Sequence, residues 1–304
     1  MSDTRTWGLS GPYDRHDLRR NLGVLGRGPG DPAYRVAADG SVWRASRTPD
    51  GPGTLRIAVA GGEARAQAWG PGADWLLARV PAMLGEHDDA ADFTPRHRLV
   101  HEAHRRHPGL RLIRTGLVLE SLIPSVLEQK VTSDEAYRAW RILLTRHGEP
   151  APGPADGMRV MPDPRAWTLI PSWEWHKAGV DAKRSSTILR AARVARRLEE
   201  AAGMDDTRAT ARLRAVPGIG PWTAAETLQR SNGSPDAVTV GDLHLPKIIG
   251  YALTGERGTD DAAMLDLLAP YAGHRHRACR LILLTGRTPP RRAPRFSVND
   301  IRAL

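Results

Sequence analysis

Chemistry concentrates in one stretch, Leu213 to Lys247, which reads LRAVPGIGPWTAAETLQRSNGSPDAVTVGDLHLPK. Asp242 is one of its carboxylates, a residue type that can do chemistry. A single carboxylate beside a reacting centre stabilises positive charge that develops in the transition state. It also orients an attacking water. Ahead of a helix read from Leu243 to Leu253, the same aspartate is an N-cap candidate. Both roles keep it ionised, so the sequence leaves them side by side.

The elements that position Asp242 begin with a glycine turn. The run from Thr207 to Ala215 favours helix. Pro217 stops it, because the residue before a proline disfavours helical geometry. Gly218 and Gly220 follow, and the sequence offers both as residues free to take positive φ. Pro221 suits the first turn of the next helix, which continues from Thr223 to Gln229. Val216-Pro217-Gly218-Ile219-Gly220-Pro221 therefore reads as a tight turn that opens a helix, with Ile219 packed back between the two helices. Exposed N–H groups at such a start attract anions, and successive turn amides form a nest for phosphate. An ordinary αα-hairpin also uses Gly and Pro, so the turn alone does not decide.

The order of hairpin, helix, polar loop and aspartate resembles the helix-hairpin-helix (HhH-GPD) DNA glycosylase superfamily. Trp222 lies 20 residues before Asp242, in the phrase Val240-Gly241-Asp242-Leu243-His244-Leu245. The likeness runs from about Pro12 to Arg280 and is strongest toward the alkylpurine (3-methyladenine type II) branch. It implies that Asp242 is the catalytic carboxylate and that a damaged base is flipped from duplex DNA into a pocket. The glycosidic bond would then break with cationic character on the sugar, as in glycoside hydrolysis. The lyase-competent relatives carry an amine nucleophile where this chain has Trp222, and an indole forms no Schiff base. Trp222 could instead stack on an electron-poor base or only shape the pocket. Glu226, one turn on and on the same face, and Arg280 stand where the branch places aromatic residues. The two are expected either to pair with each other or to make the pocket more polar. The turn Gln129-Lys130-Val131 falls where the family inserts a wedge into the duplex; Lys130 departs from the usual apolar wedge. With Pro217, Gly218, Ile219, Gly220, Thr223 and Lys247, these form the expected DNA-binding set. The family also holds a monovalent cation, K+ or Na+, on hairpin carbonyls, and no cofactor is expected for catalysis.

Composition bounds these readings. The 304 residues carry a formal net charge of +10. Only Lys130, Lys177, Lys183 and Lys247 among the 44 basic residues are lysine; the rest are arginine, whose forks match phosphate oxygens. A basic excess fits a nucleic-acid partner, although a GC-rich genome yields the same bias. Cys279 is the single cysteine, which excludes an internal disulfide and a four-cysteine iron–sulfur cluster. No apolar run reaches the length of a membrane span, and the polar N-terminus is no signal peptide. His244, His274 and His276 lack carboxylate or thiolate company at metal spacing, so no transition metal is expected.

The chain then divides into three parts. Residues 1–92 read as a small antiparallel sheet domain, with strand alternation at Ala33–Ala37, Ser41–Ala45, Gly53–Val59 and Glu63–Trp69 around turn signals such as Asp39-Gly40. Trp43, Trp69 and Trp75 are core or interface candidates. Residues 93–287 read as a helical catalytic core with the helix-hairpin-helix at about 207–230. Val118, Leu119, Leu122 and Val126 mark one buried stripe. Thr132 and Glu135 form a capping box for the helix from Ser133. One long helix is read from about Ser185 to Ala202. A Pro/Arg-rich tail fills 288–304. The fold class is α+β.

These readings converge on a monomeric, cytoplasmic, nucleoid-associated glycosylase for alkylated purines in duplex DNA. A glycosylase for oxidised or bulky-adduct bases and a helix-hairpin-helix DNA-binding protein without activity are the alternatives. With no amine at position 222, borohydride treatment during a reaction on damaged DNA should trap no covalent protein–DNA adduct. A trapped adduct would show that another amine, such as Lys130 or Lys247, reaches the sugar.

Overall fold

A computed structural model describes residues 2–8 and 13–290; Pro12 and the tail beyond Pro290 lie outside the described residues. Strand β1 (Ser2–Gly8) and helix α1 (Arg15–Leu22) come first, followed by β2 (Tyr34–Val36), β3 (Val42–Thr48), β4 (Gly51–Ala60), β5 (Glu63–Trp69) and α2 (Ala73–Met83). The strands form an antiparallel sheet in the order β1-β5-β4-β3-β2. Period-2 alternation turns Leu55, Ile57, Ala64, Ala66 and Ala68 to one face, where α1 and α2 cover them with Leu18, Leu22, Leu76 and Val80. Trp43 and Trp69 stack on each other at 5.4 Å across the sheet, so they pack the domain rather than offer a free aromatic platform. The sequence reading missed β1 and α1. Both are short, and α1 is mostly polar with only Leu18 and Leu22 as buried apolar anchors.

The rest is helical. It comprises α3 (Arg98–Arg106), α4 (Val118–Leu127), α5 (Ser133–His147), a two-residue ladder of β6 (Glu149–Pro150) and β7 (Arg159–Val160), α6 (Pro164–Leu169), α7 (Ser172–Lys177), α8 (Ala182–Arg193), α9 (Ala195–Glu199), α10 (Asp206–Arg214), α11 (Pro221–Ser231), α12 (Leu245–Thr254), α13 (Asp261–Leu268) and α14 (Arg275–Leu284). Together with the sheet they make an α+β fold. Thr132 and Glu135 form the expected capping box at the start of α5. The single helix expected over 185–202 is broken at Val194, whose φ of −115° and ψ of 19° leave the helical region between α8 and α9. The apolar face that suggested one helix survives the break, because Ile188, Ala192, Ala195 and Leu198 all enter the same core.

That core gathers α4 to α11. A second apolar core joins α3 with α12, α13 and α14 through Val100, Ile249, Met264, Leu268 and Leu281. The acidic run before α3 is more than a connector. Buried Asp88 accepts from Arg277 of α14 and from the Leu112 N–H, at 2.9 Å for the latter. The loop that carries Asp242 runs from α11, in the first core, to α12, in the second.

The hairpin turn between α10 and α11 is anchored by Leu213, Ile219, Ala224 and Leu228 in the first core. Gly218 has φ +101°, and a Cβ there would lie 2.1 Å from Thr187 Oγ1. Glycine is therefore required at 218 by backbone and by packing. Gly220 departs from the sequence reading. Its φ is −92°, which any residue adopts, and a Cβ there would meet nothing within 4 Å. Gly218→Ala should lower stability by about 1–3 kcal/mol, whereas Gly220→Ala should change it by no more than about 0.5 kcal/mol. Denaturant melts of the two variants check this; equal losses would remove the distinction.

Candidate functional site

Asp242 sits in the loop before α12 and uses its two oxygens differently. Oδ1 accepts from the backbone N–H groups of His244 at 2.7 Å and Leu245 at 2.8 Å. Oδ2 accepts from Trp222 Nε1 at 2.9 Å. The aspartate thus caps the start of α12 from two residues further out than a plain N-cap, since His244 holds the cap position. Gly241, before it, takes φ +89°, and its N–H donates to Asp261 at the start of α13. These bonds fix the carboxylate between α11 and α12.

A cavity of about 340 Å³ opens beside it. Asp242, Glu226, Arg230, His276, Arg280 and Cys279 are among its lining residues. Trp222 does not line it but bonds Asp242, which does. The expected Glu226–Arg280 pair is not formed. Glu226 instead pairs with Arg230 at 2.6 Å, one helical turn along α11. That i,i+4 spacing favours the pair on one helix, while Arg280 must reach across from α14. Arg230 also donates to the Val24 carbonyl at 2.9 Å, and this brings the N-terminal domain to the cavity's edge. Burial opposes the charge of Arg230, but Glu226 and Glu128 outweigh it and raise its pKa. Glu128, in turn, pairs with buried Arg27 at 2.8 Å.

Arg280 is in a different position. Among the described residues it has no carboxylate partner, and its one hydrogen bond is a long 3.4 Å contact to the Arg20 carbonyl. Burial first, and then repulsion by Arg230, pull its pKa down to about 10, so it stays charged near neutrality. His276 is buried in the same wall. Desolvation, with Arg280, Arg230 and Arg277 adding to it, holds its pKa well below the ordinary 6.5, so the imidazole is neutral. Burial pushes the Cys279 thiol up to about 12, which leaves it unreactive. Of these wall residues, the sequence could have indicated Arg230 from its spacing to Glu226; nothing local pointed to His276, Glu128 or Arg27.

The expected DNA-contact set is split by the structure. Gln129 does not reach outward with its amide: Nε2 donates to the Gly218 carbonyl at 3.0 Å and to Thr223 Oγ1 at 2.8 Å. It ties the turn after α4 to the hairpin, and Thr223 is buried in that contact. Val131 packs partly against the first core. Lys130 stands exposed at the tip with φ +57°, the one non-glycine residue with positive φ among the described residues. Such a conformation is strained for a side-chain-bearing residue. Arg190 of α8 donates to the Pro217 carbonyl at 3.0 Å. No side chain caps α11 at Gly220, so the amides at that helix start remain open to an anion. Lys247 is exposed on the first turn of α12. Leu243, beside Asp242, was not singled out by the sequence reading, yet it is a large apolar residue left 61% exposed.

The architecture is that of the helix-hairpin-helix DNA glycosylases. A 3-methyladenine DNA glycosylase from Archaeoglobus fulgidus superposes with a TM-score of 0.74 at 15% identity, covering 92% of this chain and 97% of that one. An 8-oxoguanine glycosylase/lyase from Clostridium acetobutylicum gives 0.70 at 12% identity over 90% and 92%. At these identities the likeness establishes the fold. In sequence, the chain is 33% identical over 139 residues to proteins of two Mycobacterium tuberculosis strains, each described as a probable bifunctional transcriptional activator/DNA repair enzyme AlkA. The match takes in 45% of this chain but only 28% of those relatives. No family model matches the chain. The resemblance carried by the hairpin and Asp242 thus holds for the fold. Among the described residues, no helix is long and apolar enough to cross a membrane, and no group of three or more His, Cys, Asp or Glu could hold a metal ion.

His276 sets a pH dependence. Its folded pKa lies below the unfolded value of about 6.5, so in acid the unfolded chain binds a proton that the native site refuses. Its contribution is fully present above pH 6.5 and is lost as pH falls from there toward the folded pKa, at about 1.4 kcal/mol per unit. Denaturant melts between pH 7 and 5 should show a steeper loss for wild type than for His276→Gln. Parallel curves would place the imidazole in water.

Proposed function

We propose that the protein is a monofunctional DNA glycosylase that hydrolyses the N-glycosidic bond of a flipped, alkylated purine in duplex DNA. The observation that carries this reading is the Asp242 carboxylate, fixed at the edge of a half-open cavity on a glycosylase fold. As the bond to the base lengthens, positive charge builds on the sugar, and a carboxylate already held in place stabilises it without reorganising. One oxygen is committed to α12. The other is oriented by Trp222 and would face the sugar or the attacking water. An indole in the place of a lysine fits hydrolysis without strand cleavage. The cavity, at about 340 Å³, is near the lower bound for small-molecule sites, which suits a single base better than a bulky adduct.

DNA would be held by its backbone. The open amides at the start of α11, the space around Gly220 and the exposed Lys130 and Lys247 supply phosphate contacts. Lys130 and Leu243, both exposed, would enter the duplex as a base leaves it. A structural neighbour, the Clostridium acetobutylicum enzyme, was solved with duplex DNA, which supports the same class of partner here, with the protein acting as a monomer. The monovalent cation of the family fits the donor chemistry of the turn, since backbone carbonyls are the ligands such ions take. The Pro217 and Gly218 carbonyls already accept from Arg190 and Gln129. The Val216 carbonyl accepts from the Ile219 N–H at 3.1 Å, so the cation would rest on the remaining carbonyls of the turn, Ile219 among them, and add a fixed positive charge toward phosphate.

Asp242→Asn tests the assignment. Asn keeps an oxygen for the α12 amides but turns an NH₂ group toward the Trp222 N–H, donor against donor. Base release from methylated duplex DNA should fall by about 10²–10³-fold, while affinity for an abasic-site duplex stays within a few-fold of wild type. An unchanged release rate would reduce Asp242 to a helix cap.

A further inference from the structure

The unpaired charge on the cavity wall bears on which base the site accepts. Arg280 lines the cavity, half-buried, and among the described residues most of its five N–H donors have no protein acceptor. A guanidinium on a cavity wall with donors to spare is free to bond an acceptor that a ligand brings. Its neighbours cannot supply one: Glu226 is committed to Arg230, Asp242 to α12 and Trp222, and Cys279 keeps its proton. A bound base can supply the acceptor.

We infer that Arg280 is a specificity-determining residue, reading the O6 and N7 acceptors of a flipped 6-oxopurine and discriminating against purines alkylated at N7. The fork of an arginine matches that pair of acceptors in two parallel hydrogen bonds. Alkylation at N7 removes one acceptor and, in the nucleotide, places a positive charge on the ring, which the guanidinium repels; the free base is neutral and lacks only the acceptor. Damage elsewhere on a 6-oxopurine leaves the edge intact. Neutral His276 adds no charge to this wall, so the repulsion comes from Arg280 and is not diluted by a titrating neighbour near neutral pH. The inference rests on the glycosylase reading above and narrows its substrate class.

Binding of free bases to the protein on an abasic-site duplex tests it without requiring turnover. Guanine and hypoxanthine should bind about tenfold or more tighter than 7-methylguanine. Arg280→Met should abolish that preference. Arg280→Gln, which keeps polarity but not the fork or the charge, should lose most of it, and serves if the Met variant does not fold. Equal affinity for guanine and 7-methylguanine in wild type, or a preference that survives in whichever variant folds, overturns the inference. Base release from duplexes with hypoxanthine or 7-methylguanine separates the two claims. Release without the binding preference keeps the glycosylase and removes the role of Arg280. The preference without release keeps the base-reading wall and removes the hydrolase.

Discussion

The hydrogen bond from Trp222 to Asp242 is the interaction on which the site depends. It spans the two helical cores, since Trp222 belongs to α11 and Asp242 leads into α12. Each oxygen of the carboxylate has its own task, and only an acceptor at both positions satisfies the arrangement. An aspartate whose two oxygens receive three N–H donors is held in one orientation without a positively charged partner. A lysine or arginine at its side would neutralise the very charge that a cationic sugar needs. The nearest cations of the cavity, Arg230 and Arg280, sit on other walls, and one of them is already neutralised by Glu226.

From the cavity wall a chain of largely buried charges runs from Glu226 through Arg230 toward Glu128 and Arg27. Buried ion pairs lose much of their Coulombic gain to desolvation, so this chain is a poor source of stability and a good source of fixed geometry. It links the cavity to the turn at Gln129 and Lys130, because Glu128 ends α4 immediately before that turn. Gln129 then ties the turn to the hairpin through Gly218 and Thr223. The three parts that would meet DNA, namely the hairpin, the Lys130 tip and the base cavity, are thus held in one frame by polar contacts. Apolar packing fixes the helices beneath them.

The strained backbone of Lys130 belongs to the same frame. With Gln129 drawn inward and Val131 packed on the core, the residue between them must turn outward, and positive φ is the geometry that results. Strain of this kind persists where neighbouring contacts over-determine it, and the neighbours here are named. Gly218 shows the complementary solution. There the close approach of Thr187 leaves room only for glycine, and the positive φ carries no penalty.

By itself the sequence determined the hairpin, the helix starts and the aspartate, because each depends on local chemistry: proline and glycine at set positions, a capping box at Thr132 and Glu135, period-2 alternation in the sheet. It also determined that position 222 holds no amine. Only the tertiary structure decided how the cavity wall is charged. Glu226 had a partner on its own helix and one on a distant helix, and the shorter reach along α11 won. The partner of Gln129 was hidden for a similar reason, since its neighbour in space, the Gly218 carbonyl, is far away in sequence. The break at Val194 left no mark on the apolar pattern, because α8 and α9 bury the same face. His276 and Arg280 became a neutral and a charged member of one wall through burial and mutual proximity, quantities that exist only once α14 is packed beside α11.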